Sequence, residues 1–252
     1  MFDHLLEEIV SGRMAVGSAL PPERELAQSF GLSRPTVREV LRSLQERGLV
    51  EIVPARGTFV HEATAVDGAR SMESLVRRSK ATARDIVEAR LMLETQAARL
   101  AAVKASGAEL DALDQCIREC EAAAHPIERA QLDLTFHWLL SKASHNPVVE
   151  TMFGSIVGFI FEQLLRSSAD PEIVREGLRY HGRVLDALRQ HDPDAAEQEM
   201  RSHLRLAGVM YGNDFDRTLD SLARRELDRV GQALVLEQLI EDVNRRMAPA
   251  KA

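Results

Sequence analysis

At 252 residues and 45% hydrophobic, the chain is long enough for one large domain or two modest ones with a real core. A net charge of −7 argues against a protein that coats nucleic acid without regard to sequence, and scarce aromatics (4%) beside abundant Ala, Leu, Arg and Glu favour helices. Asp3, Glu7 and Glu8 stand where a secretory leader would be basic, and the longest apolar run, MFGSIVGFIF, falls short of the roughly 18 residues of a span, so no membrane partner and a cytoplasmic location are expected.

The elements follow in chain order. MFDHLLEEIVSGRM predicts a short amphipathic helix ending near Gly12. In PPERELAQSF, Pro21 and Pro22 are expected in the first turn of a second helix, where a missing N–H does no harm, and Gly31 stops it. Ser33 is a cap for a third helix, with Pro35 in its first turn. That helix puts Val37, Val40, Leu41 and Leu44 on one face and Arg34, Arg38 and Arg42 largely on another, and Gly48 ends it. LVEIVPARGTFVHE alternates, turns at Pro54–Gly57 and resumes, which predicts a hairpin. The fold class expected is therefore mainly α: a winged helix-turn-helix over residues 1–62, then a helical bundle. Residues 63–81 read as a linker with a short helix around Met72–Ser79. From Thr82 only helices are predicted, with breaks near Ser106–Gly107, His125–Pro126, Asn146–Pro147, Asp170–Pro171 and Asp192–Pro193, giving six helices up to about Gly212. Cys116 and Cys120, four apart on one helix, suit two reduced thiols better than a disulfide. An effector domain over 82–215 and a helical extension over 216–252, amphipathic through Leu219, Ala223, Leu227, Val230 and Leu234, complete the chain.

A helix that reads the major groove needs fork-shaped donors at its N-terminal end, where Arg34, Thr36 and Arg38 stand. Arg can bond guanine O6 and N7 together, and Thr can reach a phosphate or a thymine methyl. Arg24 is placed to hold a phosphate, and Gly57 at the hairpin tip permits close approach to the minor groove. Residues 1–62 carry seven Arg and no Lys against nine acidic residues, so any binding must rest on a local patch. The stretch LPPERELAQSFGLSRPTVREVLRSLQERGLVEIVPARGTFV closely resembles the N-terminal domain of GntR-type bacterial transcription regulators. The resemblance implies that Arg24, Arg34, Thr36, Arg38 and Gly57 contact double-stranded DNA, and that the protein is a homodimer on a short palindromic operator.

In LDLTFHWLLSKASH, Asp133 and His137 are one turn apart on one face. Such a pair suits a metal site, an acid/base pair or a surface salt bridge; flanking leucines and Trp138 argue for burial. Further ligands could come from His125, His145, His181, His191 or His203; of these His181 and His203 sit beside apolar stripes, and the other three look like loop or capping residues. The helical half resembles the FCD-type C-terminal domain of the FadR subfamily, in which DLTFH, YHGRVLDAL and MRSHL match in order. That resemblance implies Asp133, His137, His181 and His203 as ligands of one divalent metal, Zn, Ni, Fe or Mn. It also implies Arg90 as an effector-facing arginine, a salt bridge from Arg90 to Glu94 at i+4 being the competing reading. The function expected is a transcription regulator, a repressor by family habit, controlled by a small carboxylate at the metal. The alternatives are a regulator whose metal only staples the bundle, and a metal-dependent enzyme fused to a DNA-binding head; no nucleophile motif supports the enzyme.

Overall fold

The computed structural model describes residues 1–62 and 69–219, and the chain divides into two compact units, 1–68 and 69–252. The first holds α1 (Phe2–Val10), α2 (Glu23–Phe30), α3 (Arg34–Glu46), β1 (Val50–Val53) and β2 (Gly57–Val60). Pro21 and Pro22 precede α2 rather than lie in its first turn: Pro22 is the extended cap residue and the helix starts at Glu23. Gly31 ends α2 in the left-handed conformation (φ +62°) that a Cβ would strain, and Ser33 caps α3 by accepting the Thr36 N–H. The antiparallel hairpin pairs Val50 with Val60 and Val53 with Gly57. A bridge from Ala19 to Phe59 adds a third extended segment, too short to read in the sequence. Leu5, Leu20, Leu26, Val37, Leu41, Leu44, Val50 and Val60 form the core, which roots α2 and α3 against each other and leaves the arginine face of α3 outside.

The second unit begins with α4 (Ala69–Arg78), which overlaps the short helix expected within the linker segment, starts three residues earlier, and packs on α8. The six helices expected from Thr82 follow: α5 (Ala83–Lys104), α6 (Gly107–Ala122), α7 (Pro126–Ala143), α8 (Pro147–Ser167), α9 (Pro171–Arg189) and α10 (Pro193–Tyr211). Thr82 with Asp85 and Ser106 with Glu109 form capping boxes for α5 and α6. Asn146, Asp170 and Asp192 each cap the proline-initiated helix that follows, whereas His125 makes no side-chain cap bond. By length and composition alone α8 is apolar enough to cross a membrane, with a mean hydropathy of 1.5 over 18 residues. In the bundle its Phe153, Val157, Phe159 and Ile160 are buried, and α4, α5 and α7 pack against it. Residues 212–219 return to the start of α5, where the Leu219 N–H donates to the Ala81 carbonyl (2.9 Å). The expected C-terminal extension lies, beyond Leu219, outside the described residues.

Candidate metal centre and nucleic-acid interface

Four helices build the buried site in the bundle. α7 carries Asp133 and His137, α9 carries His181, α10 carries His203, and α5 supplies Arg90 and Glu94. The potential ligand atoms of Asp133, His137, His181 and His203 all lie within 4.8 Å of one another. Their contacts close a ring: His137 Nε2 to His203 Nε2 3.2 Å, His203 Nε2 to His181 Nε2 3.2 Å, His181 Nε2 to Asp133 Oδ1 3.4 Å, and Asp133 Oδ1 to His137 Nε2 3.3 Å. The three imidazoles are buried, and Asp133 Oδ1 has no hydrogen-bond partner. Three ring nitrogens turned on each other cannot all carry protons, and a buried carboxylate oxygen without a donor is costly. A cation at the centre answers both. Adjacent ligands bonded at about 2.1 Å to one ion stand roughly 3.0–3.4 Å apart, as do the four neighbouring pairs of this ring. One carboxylate and three imidazoles suit a divalent transition metal.

The electrostatics agree. Burial holds His181 down to about 3, with the charges of His137 and Arg90 adding to it against Asp133. Burial also takes His203 well below the usual imidazole value, with His181, His137 and Arg90 adding to it. Both rings are therefore neutral at neutral pH, the form in which an imidazole can hold a metal. For Asp133 burial opposes the charge, but contact with His137, His181 and Arg90 outweighs it and lowers the pKa. For His137 burial opposes the cation, but Glu94 and Asp133 outweigh it and raise the pKa. Phe136 stacks on His181 (3.9 Å between centroids) and fixes that ring.

Glu94 was not assigned a part in the site from the sequence, where its i+4 spacing to Arg90 accounts for it. Both relations hold. Its Oε1 accepts from Arg90 Nε (2.6 Å), while its Oε2 lies 2.5 Å from His137 Nδ1, a close polar contact though not a well-aligned hydrogen bond. Burial opposes the Glu94 charge, yet Arg90 and His137 bring it down to about 2. A carboxylate at Nδ1 selects the tautomer whose Nε2 lone pair faces the ring of ligands. Glu94→Gln is expected to weaken metal binding by about 10–100-fold with the fold kept; competition with a chromophoric chelator measures it, and wild-type affinity would remove Glu94 from the site. Arg90 NH2 lies 3.3 Å from His137 Nε2, and NH1 donates to Gln163 Oε1 (3.4 Å), a second buried residue that sequence reading missed. A cavity opens beside the ring. Arg90, Asp133, Gln163, His181 and His203 line it with apolar Leu164, Ile173, Val174 and Met210. Cys120 also lines it, but burial pushes its thiol up to about 12, so it is not a reactive group. Of the remaining histidines, His145 (φ +47°) and His191 (φ +53°) follow α7 and α9 in left-handed turns, and His125 precedes α7.

In the first unit Arg24, Arg34, Thr36, Arg38 and Gly57 are all exposed. Arg34 and Arg38 share a face at the start of α3, Arg24 lies in the first turn of α2, and Gly57 follows the hairpin turn. Thr36 Oγ1 is 2.8 Å from the capping Ser33 Oγ. Glu23, to which sequence reading gave no role, approaches both arginines: Arg38 Nε donates to its Oε1 and Oε2 (2.9 Å each), and Arg34 NH2 is 3.9 Å from Oε2.

Comparison with known proteins covers both units. Residues 1–60 match the family described as bacterial regulatory proteins, gntR family, and residues 85–206 match the FCD domain. The Glc operon transcriptional activator of Escherichia coli (strain K12) is 31% identical over 207 residues, 78% of this chain and 82% of that protein. The HTH-type transcriptional repressor NanR of Enterobacter sp. (strain 638) is 27% identical over 218 residues, 81% of each chain. Among solved structures, Streptococcus agalactiae GntR superposes with a TM-score of 0.65 at 28% identity, covering 83% of this chain and 96% of that one.

Proposed function

The chain belongs to the gntR family of bacterial regulatory proteins, with an FCD domain behind its helix-turn-helix head, and from that premise we propose that a small organic acid, bound at a divalent metal in the bundle, sets its affinity for operator DNA. It is a DNA-binding transcription regulator. The observation that carries the proposal is the convergence of four potential ligand atoms beside a cavity that Asp133, His181 and His203 line together with Arg90.

Asp133 Oδ1 and the Nε2 atoms of His137, His181 and His203 hold the metal, which is Zn, Ni, Fe or Mn by ligand type. When bound, it supplies a Lewis-acidic centre for a carboxylate oxygen. Arg90 is the partner for the acid's second oxygen or far end. Glu94 takes its Nε, so the guanidinium keeps its terminal nitrogens toward Gln163 and His137. Leu164, Ile173, Val174 and Met210 keep water from the carbon skeleton. In the head, Arg34, Thr36 and Arg38 read bases in the major groove, Arg24 holds phosphate, and Gly57 lets the wing approach the minor groove. One head reads one half-site, so a homodimer reads a palindrome. The relatives include an activator and a repressor; under either sign, acid and operator change each other's affinity by the same factor.

The test uses the metal-loaded full chain and a duplex that it selects from a randomised library. Small mono- and dicarboxylates are titrated while operator affinity is followed by fluorescence anisotropy. At least one acid is expected to change the operator Kd by about five-fold or more. Arg90→Ala should lose that response while keeping its metal. If no acid changes operator affinity and chelation still lowers the melting temperature, the metal is a staple and the effector reading is wrong.

A further inference from the structure

Glu23 is an acid set among arginines on a DNA-reading face, and its geometry gives it a use. Arg38 spends its Nε on the two Glu23 oxygens at 2.9 Å each. Its NH1 and NH2 make no hydrogen bond among the described residues. Those two nitrogens are a fork able to meet guanine O6 and N7 together. The restraint comes from another helix: Glu23 opens α2 behind two prolines, and Leu26 of α2 is buried in one core with Val37 and Leu41 of α3. A carboxylate in a first helical turn also suits the positive end of the helix dipole. Arg34, one turn before Arg38, keeps its NH2 at 3.9 Å from Glu23, so its own fork is held more loosely.

We infer that Glu23 is a positioning residue that aims the Arg38 fork at a base edge and sharpens the choice between operator and other DNA. The inference rests on the reading of α3 as the base-reading helix. Stability is not its purpose, because ion pairs this exposed contribute little. Two opposite effects on binding follow. The Glu23 charge repels phosphate, so its presence weakens attachment to any duplex. Its hold on Arg38 removes rotamer freedom that the side chain would otherwise lose on binding, which favours the correct base pair. A residue that merely supported the fold would move both affinities in the same direction.

The experiment compares wild type, Glu23→Ala and Arg38→Ala as full chains. The probes are the library-selected duplex, its single-base variants and a scrambled duplex of equal length, at several salt concentrations. Glu23→Ala is expected to bind the scrambled duplex several-fold more tightly, with a salt dependence steeper by about one charge per head. Its operator-to-scrambled preference should fall about ten-fold. That loss should fall on the same base pair of each half-site that Arg38→Ala relaxes. A wild-type preference in Glu23→Ala, or a loss spread over other base pairs, overturns the role of Glu23 and leaves the recognition helix standing. If Arg38→Ala itself retains the wild-type base preference, the assignment of α3 fails, and the inference with it.

Discussion

His137→Ala is expected to leave the protein without bound metal and to melt at or below the temperature of the chelated wild type. His137 holds the middle of the site: its Nε2 lies 3.3 Å from Asp133, 3.2 Å from His203 and 3.3 Å from Arg90, and its Nδ1 is 2.5 Å from Glu94. The variant loses one ligand and leaves Glu94, 1% exposed, with Arg90 as its remaining charged partner. A metal that binds only the folded state, at a thousand times its Kd, adds about 4 kcal/mol. At about 2–4 °C per kcal/mol for a domain of this size, chelation should lower the wild-type melting temperature by about ten degrees and leave the variant unmoved. Acid should act in the same direction. Protons compete with metal for the ring nitrogens, and Glu94 and Asp133 raise the His137 pKa against its burial, so uptake weakens as the pH falls. Elemental analysis and calorimetry of both proteins check this. Wild-type protein that takes up none of Zn, Ni, Fe or Mn after dialysis would sink the metal centre.

What could be read in the sequence was whatever a few neighbouring residues decide. Four X–Pro steps open α7 to α10, and Ser33, Gly31 and Gly48 punctuate the head, because caps, missing N–H groups and left-handed turns act within four residues. The pairing of Asp133 with His137 follows from the helical period alone. Joining them to His181 and His203 required a resemblance, since helix packing sets which turn faces which. Glu94 shows the limit most clearly. Its i+4 arginine satisfies a local reading, while its contact with His137 spans 43 positions and depends on the register of α5 against α7. Gln163, inside the most apolar helix, and Glu23, fifteen positions before Arg38, escaped notice for the same reason. The apolar α8 passes for a membrane helix by composition, and its neighbours in the bundle account for the part of that character carried by Phe153, Val157, Phe159 and Ile160.

Arg34→Ala is expected to abolish operator binding at working concentrations while leaving metal content and melting behaviour as in wild type. Arg34 is the first residue of α3, 61% exposed, and the core contacts of that helix begin at Val37. Its removal therefore deletes donors without opening a cavity. One bidentate base contact discriminates by about 1–3 kcal/mol. If, as proposed, two heads read a palindrome, the loss is about 2–6 kcal/mol, or roughly 30-fold to more than 10⁴-fold in Kd. Anisotropy on the selected duplex measures it, and unchanged affinity would remove Arg34 from the recognition surface. Arg34→Lys separates charge from shape. An ammonium restores the attraction to phosphate but not the planar fork. The lysine variant should bind scrambled DNA as the wild type does, with the same salt dependence, and still fail to prefer the operator.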